Sequence, residues 1–153
     1  MRTLTILAAT AAALIAVPAA AQERSGEGRI EARGGVAFAS GNEEAFAGVE
    51  AGYDFDLGTS AFIGIQASAD KVLVDGADVF FGIGGRVGTK LGTGGKLYAL
   101  GGYGFADGSE APFAGVGYQH KFGGSVYGKV EYRRTLDQGT DVNFAGIGLG
   151  VAF

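Results

Sequence analysis

The charged side chains that could do chemistry in this sequence recur at every second position within glycine-rich segments. Arg29, Glu31 and Arg33 form one such run, and residues 129–133 contain another. Because alternate residues of a β-strand point to the same face of a sheet, each run places acids beside bases on one face. The pattern predicts a network of ion pairs, since an unpaired charge on an enclosed face is costly.

Charged residues of the other segments share this phase and extend the predicted network. Its members are Arg29, Glu31, Arg33, Glu50, Asp54, Asp56, Arg86, Lys129, Glu131 and Arg133, and the same face also carries Asp70, Lys90, Lys96 and Lys121. Acids and bases nearly balance in this set. We therefore expect most of these side chains to neutralise one another.

His120 is the only histidine of the chain and the side chain best suited to acid–base catalysis near neutral pH. It alternates with Tyr118 and Phe122 on the opposite, uncharged face and lies close to Ser125 across a predicted turn. A His–Ser pair could supply a base and a nucleophile, but no acid is placed to orient the imidazole. The sequence favours a non-catalytic histidine at an interface.

The composition gives little support for a metal site, a bound cofactor or a nucleic-acid partner. The chain has no cysteine, which excludes disulfides, thiolate metal sites and a cysteine nucleophile. Acids such as Glu43, Glu44 and Asp75 lie in predicted loops, where they could attract Ca²⁺ or Mg²⁺, but their spacing matches no calcium motif. A formal net charge of −4 and the lack of a basic run argue against nucleic acid. We predict no cofactor and no metal.

The first residues have the layout of a secretory signal peptide. Arg2 precedes an apolar stretch from Leu4 to Val17, and small residues end at Ala21. The apolar stretch is shorter than the roughly 18 residues that a membrane-spanning helix needs. We predict a signal peptide over residues 1–21 and one domain over residues 22–153.

The predicted domain divides into eight segments with period-2 alternation, the pattern of β-strands. The segments are Arg29–Ser40, Ala45–Leu57, Ser60–Lys71, Asp78–Leu91, Lys96–Ala106, Pro112–Phe122, Ser125–Thr135 and Asp141–Phe153. All eight have 11 to 14 residues, enough for a strand that crosses a membrane at a tilt. Glycine accounts for 30 of the 153 residues, which disfavours helices.

The two faces of these segments indicate which side meets lipid. In the second segment one face carries residues such as Val49, Tyr53 and Phe55, whereas the other carries Glu50 and Asp54. A soluble barrel is apolar inside, whereas an outer-membrane barrel is apolar outside and polar within. Because lipid satisfies no open sheet edge, the sequence predicts an all-β, eight-stranded, antiparallel, up-and-down transmembrane β-barrel.

The connections alternate between two kinds, as an up-and-down barrel requires. Residues 58–59, 92–95 and 123–124 are predicted tight turns rich in glycine, and the other connections are predicted to be longer and acidic. An even number of strands puts both termini on the tight-turn side, which is periplasmic in bacterial barrels. We therefore predict periplasmic termini and an acidic rim outside the cell.

The signal peptide and the eight amphipathic strands make the chain resemble the small outer-membrane β-barrel superfamily, which includes opacity-type surface proteins and porin-family barrels. The resemblance implies residence in the bacterial outer membrane, with its lipids and the barrel-assembly machinery as partners. The last segment is similar to the signal that this machinery recognises in its clients. The matching positions are Ile147, Leu149, Val151 and Phe153.

These features together predict a monomeric protein with a structural or surface-antigen-like role and no catalytic activity. Eight strands enclose an interior just wide enough for side chains to fill. Two alternatives remain. Inward glycines could leave a water-filled gap and thus a narrow porin-like passage for small solutes, and His120 could serve a lipid-modifying enzyme, which is the less favoured alternative. The longest predicted loop, residues 72–77, is too short to favour an adhesin.

Overall fold

The computed structural model describes residues 26–39, 41–106, 109–136 and 142–153. Eight antiparallel strands follow one another in chain order, and the last pairs with the first to close a barrel. The predicted eight-stranded antiparallel barrel is thus confirmed. Among the described residues, no helix has the length and apolar character needed to cross a membrane. The predicted signal peptide lies outside the described residues.

The strands are longer than those of most soluble domains. They are β1 (Gly26–Ala39), β2 (Asn42–Leu57), β3 (Ala61–Val72), β4 (Val79–Leu91), β5 (Gly95–Ala106), β6 (Ser109–Gly123), β7 (Val126–Thr135) and β8 (Asn143–Ala152). Their lengths run from 10 to 16 residues, whereas strands of soluble proteins average about five or six.

The barrel closes along β1 and β8, the two strands farthest apart in sequence. Their ladder covers Arg29 to Phe38 of β1. Beyond it, the amide of Gly28 donates to the carbonyl of Phe153 at 2.8 Å, and the amide of Phe153 donates back to Gly28 at 2.9 Å. The seam is therefore hydrogen-bonded up to the last residue.

Three tight turns gather at one end of the barrel, which we call the turn end. Gly58, Gly92 and Gly124 have φ angles of +74°, +60° and +55°, in the left-handed region that glycine adopts without a steric penalty. The start of β1 and the end of β8 lie at this end too, as the even strand count requires. We call the opposite end the loop end.

Two of the four connections at the loop end differ from the prediction. Glu43 and Glu44 belong to β2, and Glu110 belongs to β6, so the prediction that they lie in longer loops was wrong. Only residues 40–41 and 107–108 separate the strands there. The strands continue into these predicted loops because the paired strand still provides backbone hydrogen-bonding partners there, as Ala39 does for Asn42.

The apolar side chains of the strands cover the outside of the barrel, and the charged ones fill its inside. Ile147 and Phe122 are 68% and 69% exposed on the outer surface, whereas Arg29 and Glu50 are each 1% exposed within. This is the reverse of a soluble protein, in which apolar groups are buried and charges are solvated. The candidate site is thus the interior.

Candidate functional site

Glu50 of β2 is the centre of the charged interior. Its Oε1 accepts from Arg29 Nη1 at 2.5 Å and from Lys129 Nζ at 3.2 Å, while its Oε2 accepts from Arg33 Nη1 at 2.9 Å and from Arg133 Nη2 at 3.1 Å. These cations come from β1 and β7, on two sides of the barrel. One carboxylate therefore ties together strands that are not neighbours in the sheet.

Asp54 organises a second cluster nearer the turn end. Arg86 reaches it with two parallel hydrogen bonds of 2.8 and 2.6 Å, the bidentate geometry in which an Arg–carboxylate pair is strongest. Lys96 Nζ adds a bond of 2.7 Å, and Arg29 Nε lies 3.8 Å away. Arg29 thereby links the Asp54 and Glu50 clusters.

Glu131 and Asp70 continue the network toward the loop end. Glu131 accepts from Arg133 at 2.7 Å and from Arg33 at 3.1 Å, and Lys129 Nζ is 3.3 Å from it. Arg33 also forms a two-point contact with Asp70. Each acid in this part of the lumen therefore meets more than one base or a bidentate partner.

Glu31 completes the predicted network in the middle of β1. Its carboxylate contacts Lys129 Nζ and accepts from the Tyr127 hydroxyl at 2.8 Å. Of the ten predicted members, the structure brings nine together in this continuous set of contacts. Asp56 lies apart, because it pairs with Lys90 at 2.7 Å at the half-open mouth of the turn end.

Several interior groups escaped sequence reasoning. The Tyr98 hydroxyl donates to Glu131 at 2.8 Å, Gln66 accepts from Arg29 at 3.0 Å and Gln119 accepts from Arg86 at 3.1 Å. All share the inward phase of their strands, so the alternation itself was the signal that could have found them. Glu27, which contacts Lys96 and Lys121, was missed because β1 begins three residues earlier than predicted.

Aromatic rings line one wall of the lumen and face its cations. Phe62 and Tyr98 are almost fully buried, and the Arg86 guanidinium lies 5.3 Å and 4.6 Å from their ring centres. The Arg133 guanidinium similarly lies 4.8 Å from the ring of Phe113. Contacts of this kind attract a cation to the ring face, so the rings fill space and help to hold the arginines.

Three further rings cap the network at the loop end. Phe144 meets Phe46 edge-on, with ring centres 5.4 Å apart, and stacks with Phe80 at 6.3 Å. Between this cap and the charges lies a cavity of only about 10 Å³, lined by Arg33, Phe46 and neighbouring residues. A space of that size holds about one water molecule.

The inward glycines make room for these large side chains. A Cβ atom at Gly102 would lie 2.8 Å from the Phe113 ring, one at Gly146 would lie 2.9 Å from the Phe46 ring, and one at Gly52 would lie 2.6 Å from Arg29. Each distance is shorter than a normal van der Waals contact. The glycines are therefore covered by rings and guanidinium groups and do not border an open gap.

His120 lies outside this interior, on the outward face of β6. Its Nδ1 is 3.1 Å from the Tyr118 hydroxyl, and its ring contacts those of Tyr118 and Phe122. In the part of the chain that the structure describes, neither Ser125 nor an acid joins this pair by a hydrogen bond. A nucleophile–base–acid arrangement is not assembled there.

The four residues of the predicted assembly signal lie together on the outer surface of the closing strand. Ile147, Leu149, Val151 and Phe153 all point outward and are exposed. No group of His, Cys, Asp or Glu within the described ranges has a geometry that could hold a metal ion.

Comparison with known proteins places this geometry in a family. The model of the outer membrane protein β-barrel domain matches residues 8–153. No curated protein sequence matches the chain.

Solved structures with the same fold share little of the sequence. Ail, the attachment invasion locus protein of Yersinia pestis, is 13% identical with a TM-score of 0.65, over 85% of this chain and 99% of Ail. The N-terminal β-barrel domain of Pseudomonas aeruginosa OprF is 15% identical with a TM-score of 0.62, over 86% of this chain and 100% of that domain. Neisserial surface protein A is 12% identical with a TM-score of 0.58, over 84% of this chain and 97% of that protein. These likenesses concern the fold, and with the family match they lead to one conclusion: this chain belongs to the outer membrane protein β-barrel family of bacterial outer-membrane proteins.

Proposed function

We propose that this protein is a resident of the outer membrane with a structural or surface-antigen-like role, a closed lumen and no catalytic activity. The observation that carries the proposal is the filled interior, in which Glu50 meets four cations at 2.5 to 3.2 Å. A passage for solutes needs a continuous water-filled path, and here ion pairs occupy the middle of the barrel and three phenylalanines its loop end.

Planar-bilayer recording tests the closed lumen. Purified protein, with folding verified by heat-modifiable mobility, is expected to give no stepwise conductance. A triple variant, Arg29→Ala with Glu50→Ala and Arg133→Ala, removes the centre of the network and is expected to conduct. Its conductance would show that the protein inserts into the bilayer, so that silence of the unaltered protein reflects a closed lumen. Stepwise conductance of the unaltered protein would replace our proposal with the porin-like passage.

The absence of catalytic activity is proposed from the surroundings of His120. Its hydrogen bond is with Tyr118, another exposed side chain, and no carboxylate of the described residues orients the imidazole as a catalytic acid would. Turnover of outer-membrane lipids by the purified protein that is lost on His120→Ala would instead support the enzymatic alternative.

We further propose that the turn end and both termini face the periplasm, after removal of residues 1–21, and that the acidic loop end faces outward. Glu43, Glu44, Asp75 and Asp78 are exposed at that end. The outward residues Ile147, Leu149, Val151 and Phe153 are proposed as the recognition signal for the barrel-assembly machinery.

The acidic rim also bears on what the surface could bind. Ail has been solved with the heparin analogue sucrose octasulfate. We expect no measurable binding of this polyanion here, because like charges repel at the acidic rim. Isothermal titration calorimetry at low ionic strength, where such repulsion is least screened, measures this directly, and saturable binding would contradict the proposed charge of the surface.

A further inference from the structure

A half-open cavity of about 230 Å³ lies inside the barrel at the turn end, and we call it the turn-end mouth. Its charged lining residues are Glu27 of β1, Asp56 of β2, Lys90 of β4, Lys96 of β5 and Lys121 of β6. The turn between β4 and β5 adds only Thr93 and glycines to the wall, so no bulky side chain closes the entrance. The mouth has room for several water molecules and therefore for a small solute.

Among the described residues that form ion pairs inside the barrel, bases outnumber acids by one, and the excess lies in this mouth. Deeper in the lumen, the nine network members that the structure brings together, with Asp70, comprise five bases and five acids. In the mouth, three lysines face two carboxylates. A surplus positive charge is therefore left at the opening, although the whole chain has a formal net charge of −4.

The three lysines of the mouth have more donor hydrogens than their partners use, because each ammonium group carries three. Lys90 Nζ contacts Asp56 at 2.7 Å, and Lys121 Nζ contacts Glu27. Lys96 Nζ contacts two carboxylates, at 3.0 and 2.7 Å. More than half of these ammonium N–H groups thus have no carboxylate partner among the described residues, and they are free to donate to a ligand.

Glu27 holds two of the three lysines close together. Lys96 donates to its Oε1 and Lys121 to its Oε2, so the two ammonium groups approach one carboxylate from β5 and β6. The side chains of Lys90 and Lys121 are 27% and 30% exposed, and ion pairs open to solvent are weak. An anion that enters the mouth can therefore bind these lysines without breaking a strong buried pair.

We propose that the turn-end mouth binds the phosphate group of a small soluble anion. The negative charge of phosphate is compensated by the surplus base, and its several oxygens can accept from lysines that approach from three strands. A carboxylate offers only two oxygens, and a metal cation would be repelled by three ammonium groups.

The position of the mouth favours a soluble phosphate over a lipid headgroup. The three lysines point inward, so the acyl chains of a lipid would have to cross the strand ends to reach hydrocarbon. A mouth of this size also admits a single phosphate group but not a sugar with eight sulfates. The site lies outside the closed network and does not depend on whether the lumen conducts. In the proposed orientation it opens to the periplasm.

A matched pair of lysine substitutions tests the site. Inorganic phosphate is titrated by calorimetry into folded protein in an uncharged detergent at low ionic strength, where screening is least. The unaltered protein should bind one phosphate. Lys121→Gln should bind it about tenfold more weakly, the effect of losing one charge-assisted hydrogen bond. Lys71→Gln removes the same charge at an exposed position of β3 at the loop end and should leave the affinity unchanged.

A change of opposite sign provides a second test. Asp56→Asn releases Lys90 and raises the surplus charge of the mouth from one to two, so phosphate should bind about threefold more tightly, the effect of a unit charge at roughly 6 Å in water. A purely structural role of Asp56 predicts no such gain.

Two other ligands define the chemistry of the site. Acetate should bind about tenfold more weakly than phosphate, because it offers fewer acceptors, and dihexanoylphosphatidic acid, a short-chain lipid with the same terminal phosphate, should bind no more tightly than phosphate. The proposal is overturned by the absence of saturable phosphate binding, by equal affinities of the two lysine variants, by no gain in Asp56→Asn, by equal binding of acetate, or by tighter binding of the lipid. All variants are first checked for heat-modifiable mobility.

Discussion

Glu50 brings four cations to two carboxylate oxygens, more positive charge than one acid neutralises. The surplus is balanced because Lys129 and Arg33 are shared with other acids, among them Glu131. Desolvation of so many charges is expensive, and it is offset only while the partners stay in place. The stability of each ion pair in this network consequently depends on the others.

Replacing Glu50 by Gln keeps the shape of the side chain but removes the charge that the four cations share. We expect a loss of about 3–5 kcal/mol of unfolding free energy, the usual effect of breaking a buried ion pair from one side. Urea titration of protein folded into lipid vesicles measures this loss. Unfolding is monitored by far-ultraviolet circular dichroism, because the chain has no tryptophan to report by fluorescence.

Asp56→Asn provides the matched control, because the Asp56–Lys90 pair lies at the half-open mouth. Solvent-accessible pairs contribute at most about 1 kcal/mol, so this variant should unfold almost as the unaltered protein does. Equal losses in the two variants would show that Glu50 has no special position.

Individual residues could be assigned to a face from the alternation alone, but not to partners. Glu50 and Arg29 are inward in the sequence pattern, and the structure agrees. The hydrogen bond from Tyr98 to Glu131 depends on the position of β5 along the barrel axis relative to β7. The alternation within one strand gives no information about that relative position. Side chains without charge, such as Gln66, give no electrostatic reason to look for a partner.

Glycine gives the strands of this barrel the space that large inward side chains require. At one point three of them meet: a Cβ at Gly84 would lie 2.5 Å from the carbonyl oxygen of Gly101 and 3.1 Å from the Cα of Gly102. These neighbours are backbone atoms of β5, which cannot rotate away as a side chain can. The close approach of β4 and β5 thus depends on glycine.

Gly84→Ala should therefore destabilise the barrel by about 1–3 kcal/mol, the common effect of overpacking. Gly101→Ala is the control on the adjacent strand, since its Cβ would meet only the Phe113 carbonyl oxygen at 3.5 Å, an ordinary contact. We expect it to be close to neutral in the same urea titration. If Gly84→Ala were equally neutral, the strands would not be as close as described.

At the level of elements, the sequence was sufficient for the number of strands, their order of connection and their tight turns. The extent of β1 was not predictable, because its first residues pair with the end of β2, Gly26 with Phe55 and Glu27 with Asp54, and Gly28 also bonds to Phe153 at the other end of the barrel's sequence. The cap of Phe46, Phe80 and Phe144 likewise comes from three strands whose relative heights are set by the barrel's stagger.

The molecule as a whole is an inverted globule, with its polar groups in the centre and its apolar groups on the surface. Such a distribution is stable only where hydrocarbon surrounds it, which agrees with the family to which the chain belongs. The proposed orientation, with the turn end in the periplasm, is open to direct measurement.

Single cysteines can report this orientation, because the chain has none of its own. Val74→Cys lies in the exposed connection after β3 at the loop end, and Thr93→Cys lies in an exposed turn at the turn end. On intact cells, a membrane-impermeant maleimide should label the first and not the second. Both should react once the outer membrane is permeabilised, and the reverse pattern on intact cells would mean the barrel is inserted the other way.

The seam at Gly28 and Phe153 has a consequence for timing. The first strand cannot complete its hydrogen bonds until Phe153 has been synthesised and has crossed to the same compartment. A chain cut short anywhere before β8 would keep two open edges and, through the missing neighbour of β7, a loosened charge cluster. Closure of the barrel thus needs β8, and a product that lacks it would expose unpaired strand edges to chaperones and proteases.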